Sequence, residues 1–176
     1  MSLPMPPSPP PLDGYTASKW RFRAPMAALE GPNREWHIYS MRLMGGTDCA
    51  ESSAYSAASL LQNNPNAATS TGFACDMASL CQLFNIHGPR NAFSGAPGME
   101  LHTGFSSAWR GRAGGMCLPT SQSSIDSGAC DVWIAIDFGA PIHVGCVQLF
   151  QAGETASRMI IEAEVAPNVY APIIED

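Results

Sequence analysis

The chain has a single lysine, Lys19, among 176 residues. A phosphate cradle of the G-x-x-x-x-G-K-[ST] kind needs a lysine at its end, so that class of nucleotide site is excluded. Charged residues make up 14% of the sequence and the net charge is −6, whereas soluble domains typically carry roughly 25% charged residues. Non-specific nucleic-acid affinity comes from Lys and Arg neutralising phosphates, so nucleic acid is not an expected partner. No apolar run approaches the roughly 20 residues of a membrane helix, so no transmembrane segment is expected. The N-terminus lacks the basic start and apolar core of an export signal. There is no C-x-x-C pair, and His37, His87, His102 and His143 are scattered singly. Zinc needs closely grouped ligands, so no zinc site is assigned. Neither G-x-S-x-G nor the surroundings of a catalytic cysteine occur, no catalytic residue is assigned, and the chain is not expected to be an enzyme. The missing N-x-S/T sequon counts weakly against a glycosylating pathway.

What is present is a turn-rich, apolar chain: 45% hydrophobic residues, 16 glycines and 15 prolines. Its length suits one domain with a real core, and its composition suits many short strands joined by loops. The expected organisation is a Pro-rich arm over residues 1–14 and one β-sandwich domain over residues 15–176. Prolines at 4, 6, 7, 9, 10 and 11 favour an extended polyproline II arm, either a linker or processed tail or an arm docked on a partner protein. Carboxylates collect late in the chain, with eight from Asp126 onward against one base, Arg158. A solvated acidic face accounts for them more simply than a cation site does.

The six cysteines, 49, 75, 81, 117, 130 and 146, are either paired in an oxidising compartment or buried as small thiols in a reducing one. Six cysteines allow fifteen pairings. The pair expected first is Cys117–Cys130, because the Ser-rich segment it closes has no apolar period to order it. With paired cysteines the expected location is extracellular or the lumen of an organelle, soluble or peripheral, any export signal being already removed or outside this sequence.

Alternation of apolar and polar residues marks the strands. In Lys19–Arg23 it sends Trp20 and Phe22 inward and the bases outward, as in an outer strand. Glu35–Met44 is a longer, inner strand with apolar groups on both faces. From Asp131 to Gln151, Val132, Ile134, Ile136 and Phe138 make one apolar face, with Trp133, Ala135 and Asp137 on the other. Gly139-Ala140-Pro141 is read as the tight turn of a strand pair that continues from Ile142 to Phe150, and Trp133 is expected to be buried. Met159–Val165 and Tyr170–Ile174 read as further strands. Glu162 and Glu164, two residues apart on one face, are expected on the exposed side of an edge strand. Ala54, Ala57, Ala58 and Leu61 have helical spacing, as do Met77, Leu80, Cys81 and Phe84, so short helices are expected between Ala50 and Phe84.

The segment Trp133-Ile134-x-Ile136-Asp137-Phe138-Gly139-x-Pro141-Ile142-x-Val144-x-x-Val147-Gln148 resembles the strand pair of discoidin, or coagulation-factor type C, domains. Trp20-Arg21-Phe22-Arg23 followed by Trp36-x-Ile38-x-x-x-Arg42-Leu43 is similar to their opening strands. The resemblance spans most of residues 19–165. It implies a galactose-binding-like fold: an all-β, jelly-roll sandwich of about eight main strands with short helices in the loops. In several such domains the loop after the second strand helps hold a structural calcium, which makes Asp48 a weak candidate ligand, since calcium takes six to eight oxygens. Ala92-Phe93-Ser94-Gly95 resembles the family's A-F-D-G element, but Ser94 replaces the acid, and no cofactor is assigned.

By resemblance, Trp109 starts a strand followed by a variable loop. Trp109, Arg110 and Arg112, with His102 nearby, form the candidate binding surface. An aromatic ring can stack on a sugar or a partner side chain, and Arg offers a planar fork of donors, here within a glycine-rich loop. The function implied is a non-catalytic binding or adhesion module that recognises carbohydrate or a protein surface. The alternative is a structural subunit of a larger assembly, with the sandwich and the Pro-rich arm as contact surfaces.

Overall fold

A computed structural model describes residues 15–31, 34–71, 89–94, 109–112, 130–151 and 153–175. The Pro-rich arm, His102, Cys117 and the Met77–Phe84 segment lie outside the described residues. Within them, β1 (Thr16–Ala24) and β2 (Glu35–Met44) come first, followed by the short helix α1 (Ala57–Asn63) and β3 (Ala68–Ser70). One further helical turn, α2 (Asn91–Ser94), lies beyond the Ala50–Phe84 stretch where helices are expected, and it carries the A-F-S part of the A-F-S-G element. Single 3-10 turns stand at Met26–Ala28, Glu51–Ser53 and Pro65–Ala67, and the remaining strands are β4 (Trp109–Arg112), β5 (Val132–His143), β6 (Cys146–Gln151), β7 (Ile160–Ala166) and β8 (Val169–Glu175). Among the described residues no helix is long and apolar enough to cross a membrane.

The strands form two antiparallel sheets, five-stranded in the order β3-β5-β1-β7-β8 and three-stranded in the order β4-β2-β6. One cluster of buried side chains joins them. β1 contributes Trp20 and Phe22, β2 contributes Trp36, Ile38, Met41 and Leu43, and β5 contributes Val132, Ile134 and Ile136. The period-2 patterns of β1 and β5 explain this, since each puts its apolar row on the inward face. α2 adds Ala92 and Phe93 to the same cluster.

Four strand readings from the sequence need correction. β1 is the central strand of its sheet, not an outer one, flanked by β5 and β7. β7 lies between β1 and β8, so Glu162 is on an interior strand and is buried. Trp133 is only half-buried, because its row faces away from the core. Finally, Gly139-Ala140-Pro141 is not a turn between two paired strands. β5 continues through it, with Lys19 opposite Asp137 and Ala17 opposite Ile142, so residues 138–141 stand against Ser18 alone. This excursion is an enlarged bulge, with four residues where a simple bulge has two. Gly139 supplies a φ of 71° within it, and its N–H donates to the Asp137 carboxylate at 2.8 Å.

The true reversal is at Val144-Gly145, where the chain passes from the five-stranded sheet into the three-stranded one. β5 and β6 therefore belong to different sheets. Gly145 is required there by a close approach: a Cβ at this position would lie 2.9 Å from the carbonyl oxygen of Gly45. Beside this corner, Cys49 and Cys146 form a disulfide with Cα atoms 5.4 Å apart. Cys130 is disulfide-bonded as well, to a cysteine outside the described residues. A disulfide fits an oxidising compartment.

Candidate functional site

The outer face of the five-stranded sheet carries a ladder of opposite charges. Alternation along β1 sends Lys19, Arg21 and Arg23 to this face, and antiparallel register brings Glu162 opposite Arg21 and Asp137 opposite Lys19. Arg21 and Arg23 both donate to the Glu162 carboxylate, Arg23 through Nε at 3.1 Å. Arg23 also donates to Asp131, whose other oxygen accepts the Met26 backbone N–H at 3.1 Å. Lys19 lies 3.3 Å from Glu164 and 3.7 Å from Asp137. Arg21 further stacks over Tyr170, 4.1 Å from its ring centroid, and lies 5.9 Å from the centroid of Trp133. A guanidinium held between carboxylate and aromatic faces has little rotational freedom left, so the face is rigid.

Replacing Glu162 with alanine tests that rigidity. It removes the carboxylate partner of Arg21 and one of the two of Arg23, guanidinium groups whose side chains are 24% exposed. The expected cost is about 2–3 kcal/mol, below the ~3–5 kcal/mol of a fully buried pair because both arginines still reach water. A urea midpoint identical to that of the parent would show that the ladder contributes nothing.

Over this ladder lies an open cleft of about 240 Å³. Both flanks of the sheet line it: Asn66 and Thr69 from the β3 side, Asn168 and Tyr170 from the β8 side, with Lys19 and Asp137 between them. Ala135, nearly fully buried, lies beneath, and its small side chain keeps the cleft open. Each flank is fixed locally. Asn64 accepts the Asn66 N–H at 3.3 Å, which holds the turn that leads into β3. Asn168, with φ of 60°, turns β7 into β8 and donates its N–H to Glu164 at 2.8 Å.

Protonation in the cleft follows from these contacts. The hydrogen bond from the Asn168 N–H, and then the one from Lys19, holds the Glu164 carboxyl below its ordinary range. The hydrogen bond to Glu164 holds the Lys19 ammonium above its ordinary value. Burial, followed by the nearby Glu164 charge, raises the Tyr170 hydroxyl. At neutral pH the cleft therefore presents an ionised base, Lys19, held by the ionised Glu164 beside it, and a protonated phenol that can donate. A depressed carboxyl adds stability above its unfolded pKa and loses it as pH falls through the folded value. The Lys19–Glu164 contact is thus expected to weaken on the acid side of the carboxylate range.

Trp109, Arg110 and Arg112 lie elsewhere. Trp109–Arg112 is an edge strand of the three-stranded sheet rather than part of a loop, with Trp109 at its start. Its register sets Trp109 opposite Ile38, Gly111 opposite Trp36, Arg110 opposite His37 and Arg112 opposite Glu35. Trp109 and Gly111 thus pair in register with Ile38 and Trp36, both fully buried. His37 and Glu35 are joined by a 2.9 Å contact on the same strand.

Asp48 is committed to its own loop, where its carboxylate accepts the Ala50 N–H at 3.1 Å. No group of three or more His, Cys, Asp or Glu side chains converges on a metal-sized site among the described residues. Sequence reading missed the cleft because its residues come from four separate segments, none of which carries a local motif. The one available signal was alternation in Lys19-x-Arg21-x-Arg23 and Glu162-x-Glu164, which gives each strand a row of like charge on one face without saying that the two strands are neighbours. Compared with protein-family models, with curated proteins and with solved structures, the chain matches none.

Proposed function

We propose that this chain is a non-catalytic recognition module, a discoidin-like jelly-roll β-sandwich that binds carbohydrate or a protein surface. The observation that carries this reading is the open cleft on the rigid outer face of the five-stranded sheet, where each charged side chain already has a partner. A preorganised polar surface loses little entropy when it captures a ligand. Paired charges are poorly placed to act as general acids or bases, which need a titrating group free to exchange protons with a substrate. The sheet face replaces Trp109, Arg110 and Arg112 as the preferred surface, because those residues form a short strand paired with β2 rather than the glycine-rich loop expected of them.

The structural-subunit reading has one supporting observation. The β7–β8 hairpin tip exposes Val165 and Val169, at 63% and 53%, and exposed apolar groups suit permanent contacts. Size-exclusion chromatography with light scattering, followed by a glycan array, separates the two readings. A recognition module runs as a monodisperse species and is retained by at least one ligand class without turning it over. Recovery only as a stoichiometric complex with a second protein, and retention by no glycan, would overturn the proposal.

A further inference from the structure

Resting on that reading, we infer that the cleft takes a neutral, hydroxyl-rich ligand: an extended oligosaccharide segment laid across the strands of the five-stranded sheet. Charge balance gives the first argument. The cleft is lined by one base and one acid, Lys19 and Asp137, 3.7 Å apart. One charge of each sign leaves no net charge in the lining to attract an anionic or cationic ligand. The charges are also engaged with one another, so binding an ion would first require breaking a pair.

Hydrogen-bonding capacity gives the second argument. Asn66 and Asn168 carry both donors and acceptors, Thr69 and Tyr170 carry hydroxyls, Lys19 donates and Asp137 accepts. A sugar hydroxyl is itself both donor and acceptor, and a row of vicinal hydroxyls matches such a mixed lining. Raising of the Tyr170 hydroxyl keeps it a donor at neutral pH. An apolar ligand would leave these groups unpaired, which is costly wherever they lose water.

Shape gives the third. The cleft is lined from β3 and from β8, which stand at opposite ends of a five-strand order. Four interstrand spacings of ~4.8 Å place those strands roughly 19 Å apart. A volume of about 240 Å³ spread between such flanks is shallow, and it lies below the ~300–1,000 Å³ of enclosed small-molecule pockets. An elongated ligand that touches both flanks fits; a compact molecule buried on all sides does not.

Isothermal titration and ¹H–¹⁵N chemical-shift mapping with neutral hexasaccharides of glucose, galactose and mannose test this, with a uronate-bearing hexasaccharide as the charged probe. The deciding variant combines Thr69→Val with Asn168→Gly. Valine keeps the β-branched shape of Thr69, and glycine accepts the positive φ of Asn168. An unchanged thermal midpoint checks that the variant folds. Loss of two contacts, one from each flank, is expected to weaken the neutral hexasaccharide about tenfold, while Arg110→Ala with Arg112→Ala leaves it unchanged. Binding that tolerates the Thr69→Val, Asn168→Gly pair, or that falls only with the arginine pair, would overturn the cleft assignment and leave the recognition module standing. Preference for the uronate probe would overturn the neutral class. Retention of no hexasaccharide overturns the inference entirely, and the recognition reading then rests on the array and complex measurements described above.

Discussion

Trp20→Ala is expected to lower stability by about 3–5 kcal/mol. Trp20 is 0% exposed and sits on the central strand, opposite Ile136 of β5 and Ala163 of β7. No neighbour can shift into the vacated space without breaking a ladder on one side or the other. Its indole Nε1 donates to the Ala17 carbonyl at 3.1 Å, so truncation also leaves a buried acceptor without its partner. Trp133→Ala is the natural comparison. Its ring lies on the outer face beside Arg21, and losing partial burial and one cation–π contact there should cost about 1–2 kcal/mol. Urea unfolding of both variants measures the difference. Equal losses would mean that the outer face is a second core.

Removing the Cys49–Cys146 disulfide, by the double replacement Cys49→Ala and Cys146→Ala, is expected to cost about 4–5 kcal/mol. The crosslink spans 97 residues, and the entropy it removes from the unfolded chain is ~4.7 kcal/mol for a loop near 100 residues. In a chain of this size that corresponds to a fall of roughly 10–15 °C in Tm. Cys49 also holds a φ of 55°, which L residues seldom adopt, so the loop it anchors is expected to relax once freed. Differential scanning calorimetry of the double variant against the parent measures the fall, and reductant added to the native sequence sets its upper bound, because it also opens the Cys130 disulfide. If alkylation shows full reduction and Tm stays fixed, the unfolded chain gains nothing from the release and the crosslink is not a stabilising one.

The fold was legible wherever alternation was clean. Trp20 and Phe22, and Val132, Ile134 and Ile136, are buried as their spacing requires, and β2 has the bounds that its apolar run implies. Partnership was not legible. Alternation says which way a side chain faces but not which strand lies beside it, so β1 was read as outer and Glu162 as exposed. At Gly139-Ala140-Pro141, Gly and Pro mark a departure from regular pairing without saying whether the chain reverses or bulges. Here the continued pairing of Ala17 with Ile142 decides for a bulge. The expected Cys117–Cys130 pair rests on the Ser-rich segment, and Cys117 lies outside the described residues; Cys49 and Cys146 meet because β2 and β6 are neighbours. The cleft is hidden for the same reason: it exists only once strands distant in sequence lie side by side.

Pro172 has a consequence for how molecules of this protein meet one another. β8 forms one margin of the five-stranded sheet, with Pro172 opposite Glu162 and an extra residue, Ile173, before Ile174 pairs with Ile161. A margin with an irregular step and a nitrogen that bears no hydrogen is a poor template for an incoming strand. The opposite margin, β3, is three residues long. Strand-on-strand growth from this sheet into fibres is therefore discouraged at both margins, and a broad, polar sheet face can stay open to ligand without the molecules polymerising along it.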